Sequence, residues 1–253
     1  MKKMSSFHYE RVRTLFTDNY PNIPFVHGII EERLPGEVFV DNVVEPGSCM
    51  LVTAGAYVFT AGISSPRKLQ PCLDLLRDKA DIKLVLPELS PQQVKPFGLA
   101  PTPRRQYAYS TAQSSDVSNT SGYQIRPLVS EALFKECIWF DFMSGIFGGT
   151  EHFLSRGFGW VFWDAAAGVI ASEAYGIASK QFVEIGTVTH PAYRGKGLST
   201  LLCNHLMRHL CELGLQPIWS CDESNPASWS VAEKLGMDSL LHYNFYKRAM
   251  AQA

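Results

Sequence analysis

The segment Val183 to Gly197, V-E-I-G-T-V-T-H-P-A-Y-R-G-K-G, constrains this chain more than any other. Its first half is rich in β-branched residues and ends at His190-Pro191. It then turns through Arg194-Gly195-Lys196-Gly197 and enters a long amphipathic stretch at Leu198-Ser199-Thr200. A strand that feeds a glycine-rich turn and then a helix leaves the first backbone N–H groups of that helix unpaired and aimed at the turn. With the positive end of the helix dipole they form a site for a diphosphate. Gly195 and Gly197 lack Cβ, so the main chain can approach phosphate oxygens and take positive φ at little cost. Arg194 and Lys196 add positive charge.

Three phosphate-loop templates compete for this turn. A nucleoside-triphosphate loop needs Gly, four residues, then Gly-Lys-Ser/Thr. Here His190 holds the first position and Gly197 the last, so it fails twice. The dinucleotide fingerprint G-x-G-x-x-G fails at Thr200, where its third glycine belongs. The remaining pattern, R-x-x-G-x-G/A, is that of an acyl-CoA diphosphate loop, matched by Arg194 and Gly197, with the small Ser199 replacing the usual final Gly or Ala. Its place between a β-rich run and a helix strengthens the match.

The chain around this turn is that of an ordinary soluble protein: 253 residues, 46% hydrophobic and 19% charged, with a formal charge of −1. That balance, without a Lys/Arg block, argues against nucleic acid as a partner. No apolar run of about 18 residues is present, so no membrane span is expected, and Met1 to His8 lacks the apolar core of a secretion signal. Cys49, Cys72, Cys137, Cys203, Cys211 and Cys221 form no C-x-x-C, which favours reduced thiols and a cytoplasmic location. His205 and His209 have metal spacing on one helix face, but no third ligand accompanies them, so no metal is expected.

The polar run from Ser110 to Gly122 reads as a linker, which divides the chain into an N-terminal α/β domain (1–109), the linker (110–122) and a second domain (123–253). In the first part, Met50–Ala61 suggests one or two strands, Leu69–Arg77 a helix, Ile82–Leu86 a strand and Ser90-Pro91 a helix start. In the second, Tyr123–Leu128 reads as a strand and Ser130 caps a helix running to Phe140. Phe158–Trp163, Val169–Ile177 and Phe182–Thr189 read as strands. Leu198–Leu213 is a helix stopped by Gly214. A strand Pro217–Cys221, a helix opened by Asn225-Pro226 and a closing strand Leu240–Tyr246 follow. The expected order is βα(α)ββββ-loop-α-β-α-β.

Three pieces agree in order and spacing with one superfamily: Glu184-Ile185-Gly186-Thr187; Tyr193 to Thr200; and Trp219 to Ser228 running into Ala232-Glu233-Lys234-Leu235-Gly236. Across roughly Tyr123–Lys247 the chain resembles the GNAT (GCN5-related N-acetyltransferase) superfamily, with most similarity to its zwittermicin-resistance-type branch. The resemblance implies an α+β fold whose C-terminal part is a mixed, splayed sheet flanked by helices. It implies acetyl-CoA as co-substrate, lying between strands that end near Thr189 and Cys221. The acyl-CoA arm would run along Thr187, Val188 and Thr189. The diphosphate would rest on Arg194, Gly195, Lys196, Gly197, Leu198, Ser199 and Thr200, with Asn225 and Ser228 touching the arm. The implied reaction is N-acetylation of a primary amine on a small molecule, such as an antibiotic or metabolite, by direct attack in a ternary complex.

An attacking amine must be neutral, so a carboxylate near the splay should take its proton; Glu184 is the candidate, beside the alternative of a solvated strand carboxylate. Alternation puts Glu184 on the face opposite Thr187 and Thr189, unless a bulge changes the parity. An N–H near Thr189 would hold the developing oxyanion. Many GNAT enzymes carry a tyrosine where Ala232 stands; Ser228, Cys221 or Tyr246 are the substitutes considered for protonating the thiolate. The aromatic group Trp139, Phe140, Phe142, Trp160, Phe162 and Trp163 fits either core packing or an acceptor pocket, and Asp141 and Glu151 either attract a cationic amine or lie in solvent. The N-terminal part forms one wall of the acceptor cleft or an oligomer contact such as a homodimer. Two other functions fit the same turn: a non-catalytic acyl-CoA sensor and a nucleotide-binding regulator.

Overall fold

The computed structural model describes residues 1–79, 81–109 and 122–248. The expected linker, Gly122 apart, lies outside them. The strands are β1 (Lys2–Lys3), β2 (Gly36–Val40), β3 (Cys49–Thr53), β4 (Tyr57–Ala61), β5 (Lys83–Val85), β6 (Leu99–Ala108), β7 (Tyr123–Pro127), β8 (Phe158–Asp164), β9 (Val169–Ala178), β10 (Phe182–Thr189), β11 (Gln216–Asp222) and β12 (Asp238–Arg248). The α-helices are α1 (Ile23–Ile30), α2 (Pro66–Leu75), α3 (Pro91–Val94), α4 (Glu131–Lys135), α5 (Phe140–Phe147), α6 (Thr150–Arg156), α7 (Leu198–Glu212) and α8 (Pro226–Lys234). A 3-10 helix covers Ser6–Leu15.

All twelve strands join one mixed sheet, ordered β1-β2-β3-β4-β5-β12-β6-β11-β10-β9-β8-β7. The two chain segments either side of the linker are therefore interleaved. β6, from before the linker, lies between β11 and β12, from after it, antiparallel to both. Sequence reading did not find β6 because Pro101 and Pro103 interrupt it. Both prolines lie beyond the β11 ladder, which ends at Asp222↔Arg104. Just past it Glu223 N–H still donates to Pro103 carbonyl O at 2.9 Å, and the proline nitrogens fall where that ladder gives out, so a missing N–H is tolerated.

Alternation sorts the two faces. Val183 and Ile185 of β10 pack with Leu198, Leu202, Leu206 and Leu210 of α7. On the other face, Phe182 joins Phe25, Val26 and Ile29 of α1 and Phe134, Met143 and Phe153 of α4–α6. Every residue of α1 is buried. A third cluster packs α2 against β3–β5. All six cysteines are free, five of them buried. Among the described residues no helix is long and apolar enough to cross a membrane.

Two expectations need correction. Three strands, not four, follow the helical region after β7. The helix capped by Ser130 stops at Lys135 rather than Phe140. The buried Glu173 carboxylate takes the N–H groups of Ile138 (2.6 Å) and Trp139 (3.3 Å), which a continuing helix would need for its own ladder. Helical structure resumes only at Phe140.

Because β6 completes the sheet between β11 and β12, a fragment beginning at Gly122 loses a central strand. We expect it to show no cooperative thermal transition by circular dichroism, and to regain one when residues 1–109 are supplied in trans. A cooperative transition of the fragment alone would contradict the interleaved sheet.

Candidate active site

β10 and β11 pair in parallel from Phe182↔Gln216 to Ile185↔Trp219, then part. Each keeps its other neighbour: Gly186–Thr189 stays on β9, and Ser220–Asp222 stays on β6. The gap opens into a cleft of about 990 Å³. His190 N–H donates to Ala171 carbonyl O across β9, which sets the ladder parity. By alternation, the main-chain groups of Thr187 and Thr189 then face the gap rather than β9. An extended ligand arm can bond there as an added strand would.

Side chains on the α7 face fix the end of β10. Thr187 Oγ1 donates to Glu173 carbonyl O (2.6 Å). Thr189 Oγ1 lies 2.8 Å from Ser172 Oγ and 2.6 Å from Ser199 Oγ, tying the strand end to the first turn of α7. Gly186 has its own role: a Cβ there would sit 3.0 Å from the Trp139 ring, so glycine lets that indole lie against β10.

The turn between them is open. Gly195 (φ 77°) and Gly197 (φ 76°) are both left-handed, and a Cβ on either would meet nothing within 4 Å. Among the described residues no backbone acceptor takes the N–H groups of Gly195 to Thr200. Arg194 Nε donates back to Thr189 carbonyl O at 3.3 Å. Asn225 caps α8, its side-chain oxygen accepting from Ser228 N–H. Ser228 Oγ accepts from Trp219 Nε1 at 3.2 Å.

Of the residues predicted from sequence, Glu184, Thr187, Val188, Thr189, Arg194, Gly195, Gly197, Leu198, Ser199, Thr200, Asn225 and Ser228 all line this cleft. Lys196 does not line it; its Nζ lies over the Tyr193 ring at 4.9 Å. Glu184 points to the α1 face and Thr187 to the α7 face, as alternation requires. Both still reach the cleft, because it passes through the gap between the strands. No bulge is needed, since β10 pairs with β9 without a register shift from Val183 to Thr189.

Glu184 is buried, 6% exposed. Its Oε1 accepts from Asn22 Nδ2 at 3.2 Å. Its Oε2 has no hydrogen-bond partner among the described residues. Burial raises its pKa to about 7; Ser220, Arg104 and Asn22 oppose the shift by smaller amounts. Asn22, in a left-handed conformation that Asn tolerates, accepts from Tyr243 OH at 2.7 Å. Arg104 Nε donates to that same phenol oxygen at 2.9 Å and its Nη1 to Asp222. Asn22 N–H donates to Gln106 Oε1 at 2.7 Å. Sequence reading missed this network. Its members stand alone in the N-terminal part and on β12, and only the sheet topology brings them to Glu184. The one local signal was Asn22 before Ile23-Pro24, which marks a helix start.

The aromatic group divides. Trp139 and Phe142 line the cleft. Phe140 packs on Phe134, Trp160 on His205 and His209, Trp163 under the Arg126 guanidinium, and Phe162 in the core. Asp141 and Glu151 are not among the lining residues. Ala232 is fully buried in the α7 core and does not face the cleft. Tyr246 also lies off it, its OH donating to Leu89 carbonyl O at 3.4 Å. Cys221 lines the cleft, with burial raising its pKa.

A sheet splayed beside an open glycine turn at a helix N-terminus defines an acyltransferase site, and comparison with known proteins agrees. The GNAT acetyltransferase family matches residues 13–246. An uncharacterized N-acetyltransferase of Bacillus subtilis (strain 168), YdfB, is 23% identical over 258 residues, covering 97% of this chain and 98% of its own length. A GCN5-related N-acetyltransferase-like protein from Streptococcus suis 89/1591 superposes with a TM-score of 0.73 at 23% identity, covering 96% of this chain and 98% of its own. The tandem GNAT protein of the clavulanic acid biosynthesis pathway, solved without AcCoA, gives a TM-score of 0.59 at 11% identity, with 100% and 99% covered. This chain belongs to the GNAT acetyltransferase family and is an N-acetyltransferase.

In Gly197→Val, a β-branched side chain must take positive φ and project into the turn, at a cost of about 1–2 kcal/mol in backbone strain alone. We expect a folded variant whose affinity for CoA, measured by calorimetry, falls at least about tenfold, since 1.4 kcal/mol of lost binding suffices. Unchanged affinity would remove the turn from the binding site.

Proposed function

We propose that the protein transfers an acetyl group from acetyl-CoA to the primary amine of a small molecule in a ternary complex. Glu184 is the general base and Ser228 the proton donor to the leaving sulfur. The observation that carries this reading is Glu184 itself. It is a buried carboxyl at the base of the gap, with Oε2 lacking a hydrogen-bond partner among the described residues, and burial raises its pKa to about 7 against the weaker pull of Ser220, Arg104 and Asn22. A base poised near the working pH takes a proton most effectively.

The residues present fit a CoA ester. The open N–H groups of Gly195–Thr200 and the Arg194 guanidinium suit a diphosphate, and the main-chain groups of Thr187 and Thr189 suit an amide-bearing arm. Acetyl-CoA supplies the acetyl group as an activated thioester. The amine nitrogen bonds to the acetyl carbon, the carbon–sulfur bond breaks, and the products are an amide and free CoA thiol. Glu184 Oε2 receives the proton the amine loses. Thr189 N–H faces the negative charge that develops on the acetyl oxygen. Ser228 Oγ accepts from the Trp219 indole, and its hydroxyl, which also bonds toward the Cys221 thiol, turns to hydrogen-bond the departing sulfur. A serine hydroxyl is a far weaker acid than a thiol, whose pKa is about 8.5, so Ser228 relays a proton from water to the sulfur with no net loss of its own, and the thiolate is a tolerable leaving group near neutral pH. Asn22, Tyr243 and Arg104 hold the Glu184 carboxyl in place.

Glu184 serves as a base only when ionised, so activity falls as the pH drops through about 7. We expect Glu184→Gln to lower turnover by about 10²-fold or more, to abolish that acid limb, and to leave acetyl-CoA affinity intact. The same group links pH to stability. Its folded pKa lies above its ordinary value, so the folded protein holds more protons between the two and loses stability as the pH rises through about 7. Glu184→Gln should therefore gain thermal midpoint relative to the parent as the pH rises through that window. Tight acetyl-CoA binding with no turnover on any amine, and no effect of Glu184→Gln, would instead mark a non-catalytic sensor.

A further inference from the structure

The cleft continues past Glu184, away from the glycine turn, into a chamber walled by the N-terminal part. Phe25 stacks on Tyr57 at 5.3 Å between ring centroids, and Tyr57 meets Phe245 edge-on at 5.8 Å. Two lysines stand among these rings. β5 pairs antiparallel with β12 through Val85↔Phe245 and Leu84↔Tyr246. One step further along that register sets Lys83 opposite Lys247, and both line the cleft.

Like charges directly opposite on one sheet face are destabilising. Among the described residues neither lysine has a carboxylate within ion-pair distance. Among the described residues the contacts of Lys83 Nζ are with Tyr57: it donates to Tyr57 OH at 3.3 Å and lies 4.4 Å from that ring centroid. Its pKa is lowered, first by burial and then by the Arg104 charge. Asp222 and Asp81 oppose that shift by smaller amounts, and Asp222 is paired with Arg104. The chamber thus holds two cations that no carboxylate ion-pairs among the described residues, on apolar walls, with the Glu184 carboxyl at its inner end.

We propose that the acceptor carries an anionic group, a carboxylate or a phosphate, on an apolar skeleton, and that Lys83 and Lys247 hold this anion while the amine reaches Glu184. The amine half of this statement rests on the acetyl-transfer reading above; the anion site does not. A zwitterion would meet opposite charges at both ends of the chamber. An amine without the anion would enter as a cation against two lysines, and like charge opposes that. Skeleton and anion together set specificity, because a chamber built to pair an anion discriminates strongly against the neutral analogue.

The test separates the two halves. On the full chain, calorimetry compares phenylacetate with phenylacetamide, and phenyl phosphate with phenol. The same titrations are run on Lys83→Met and Lys247→Met, which keep the side-chain bulk. Turnover is followed as CoA release with L-phenylalanine against L-phenylalaninamide, and 2-aminoethyl phosphate against ethanolamine. We expect the anionic member of at least one binding pair to be favoured at least tenfold, and each lysine variant to erase that preference while CoA affinity is kept. The pair that shows the preference tells a carboxylate from a phosphate. Equal binding of anionic and neutral members, no binding of either anion, or a preference untouched by both variants would overturn the anion site. Lysine-dependent anion binding with no turnover of any amine would leave the anion site standing and remove the acetyl-transfer reading.

Discussion

The parting of β10 from β11 after Ile185↔Trp219 is the constraint from which the rest of the site follows. Neither strand loses its order there, because β9 holds one and β6 holds the other. Two consequences come from the same gap. Main-chain groups of Thr187 and Thr189 are left without a ladder partner, and side chains on opposite faces of β10 gain access to one cleft. Glu184 from the α1 side and the Thr187–Ser199 hydroxyl region from the α7 side therefore meet through the sheet rather than across a surface.

The gap also decides the electrostatics. A carboxyl at its closed end is out of water but beside an open channel, and burial outweighs the partial support of Ser220, Arg104 and Asn22. The N-terminal part provides much of this environment. It contributes Asn22 and the α1 roof, and β6 carries Arg104 and Gln106 into the centre of the sheet. Glu173 acts differently. Its carboxylate accepts from Ile138 N–H, Trp139 N–H and Tyr175 OH, and so serves as an anchor that sets the Trp139 wall.

What could be read from sequence was local. Gly195 and Gly197 announce positive φ and an unhindered helix start through their lack of Cβ, and the 3.6-residue periodicity of Leu198–Leu213 follows from one buried face. The motif pieces at Glu184, Arg194 and Asn225 lie on consecutive elements, so their order survives in a linear reading. β6 was illegible because its prolines contradict a central strand until the β11 ladder is seen to end at Arg104. The Asn22–Tyr243 bond joins residues 221 positions apart, and no periodicity encodes such a contact. The helix break after Lys135 was hidden for the same reason, since its cause is the side chain of a distant strand residue, Glu173.

The Glu184 carboxyl at the closed end of the gap ionises near neutrality and, in the proposed reaction, accepts the proton of the amine in its ionised form. The most direct measurement is the carboxyl ¹³C shift of Glu184 followed against pH in the intact chain, with Glu184→Gln identifying the resonance. A titration midpoint near 7 is predicted; a carboxylate already ionised at the ordinary value of 4.5 would contradict the account.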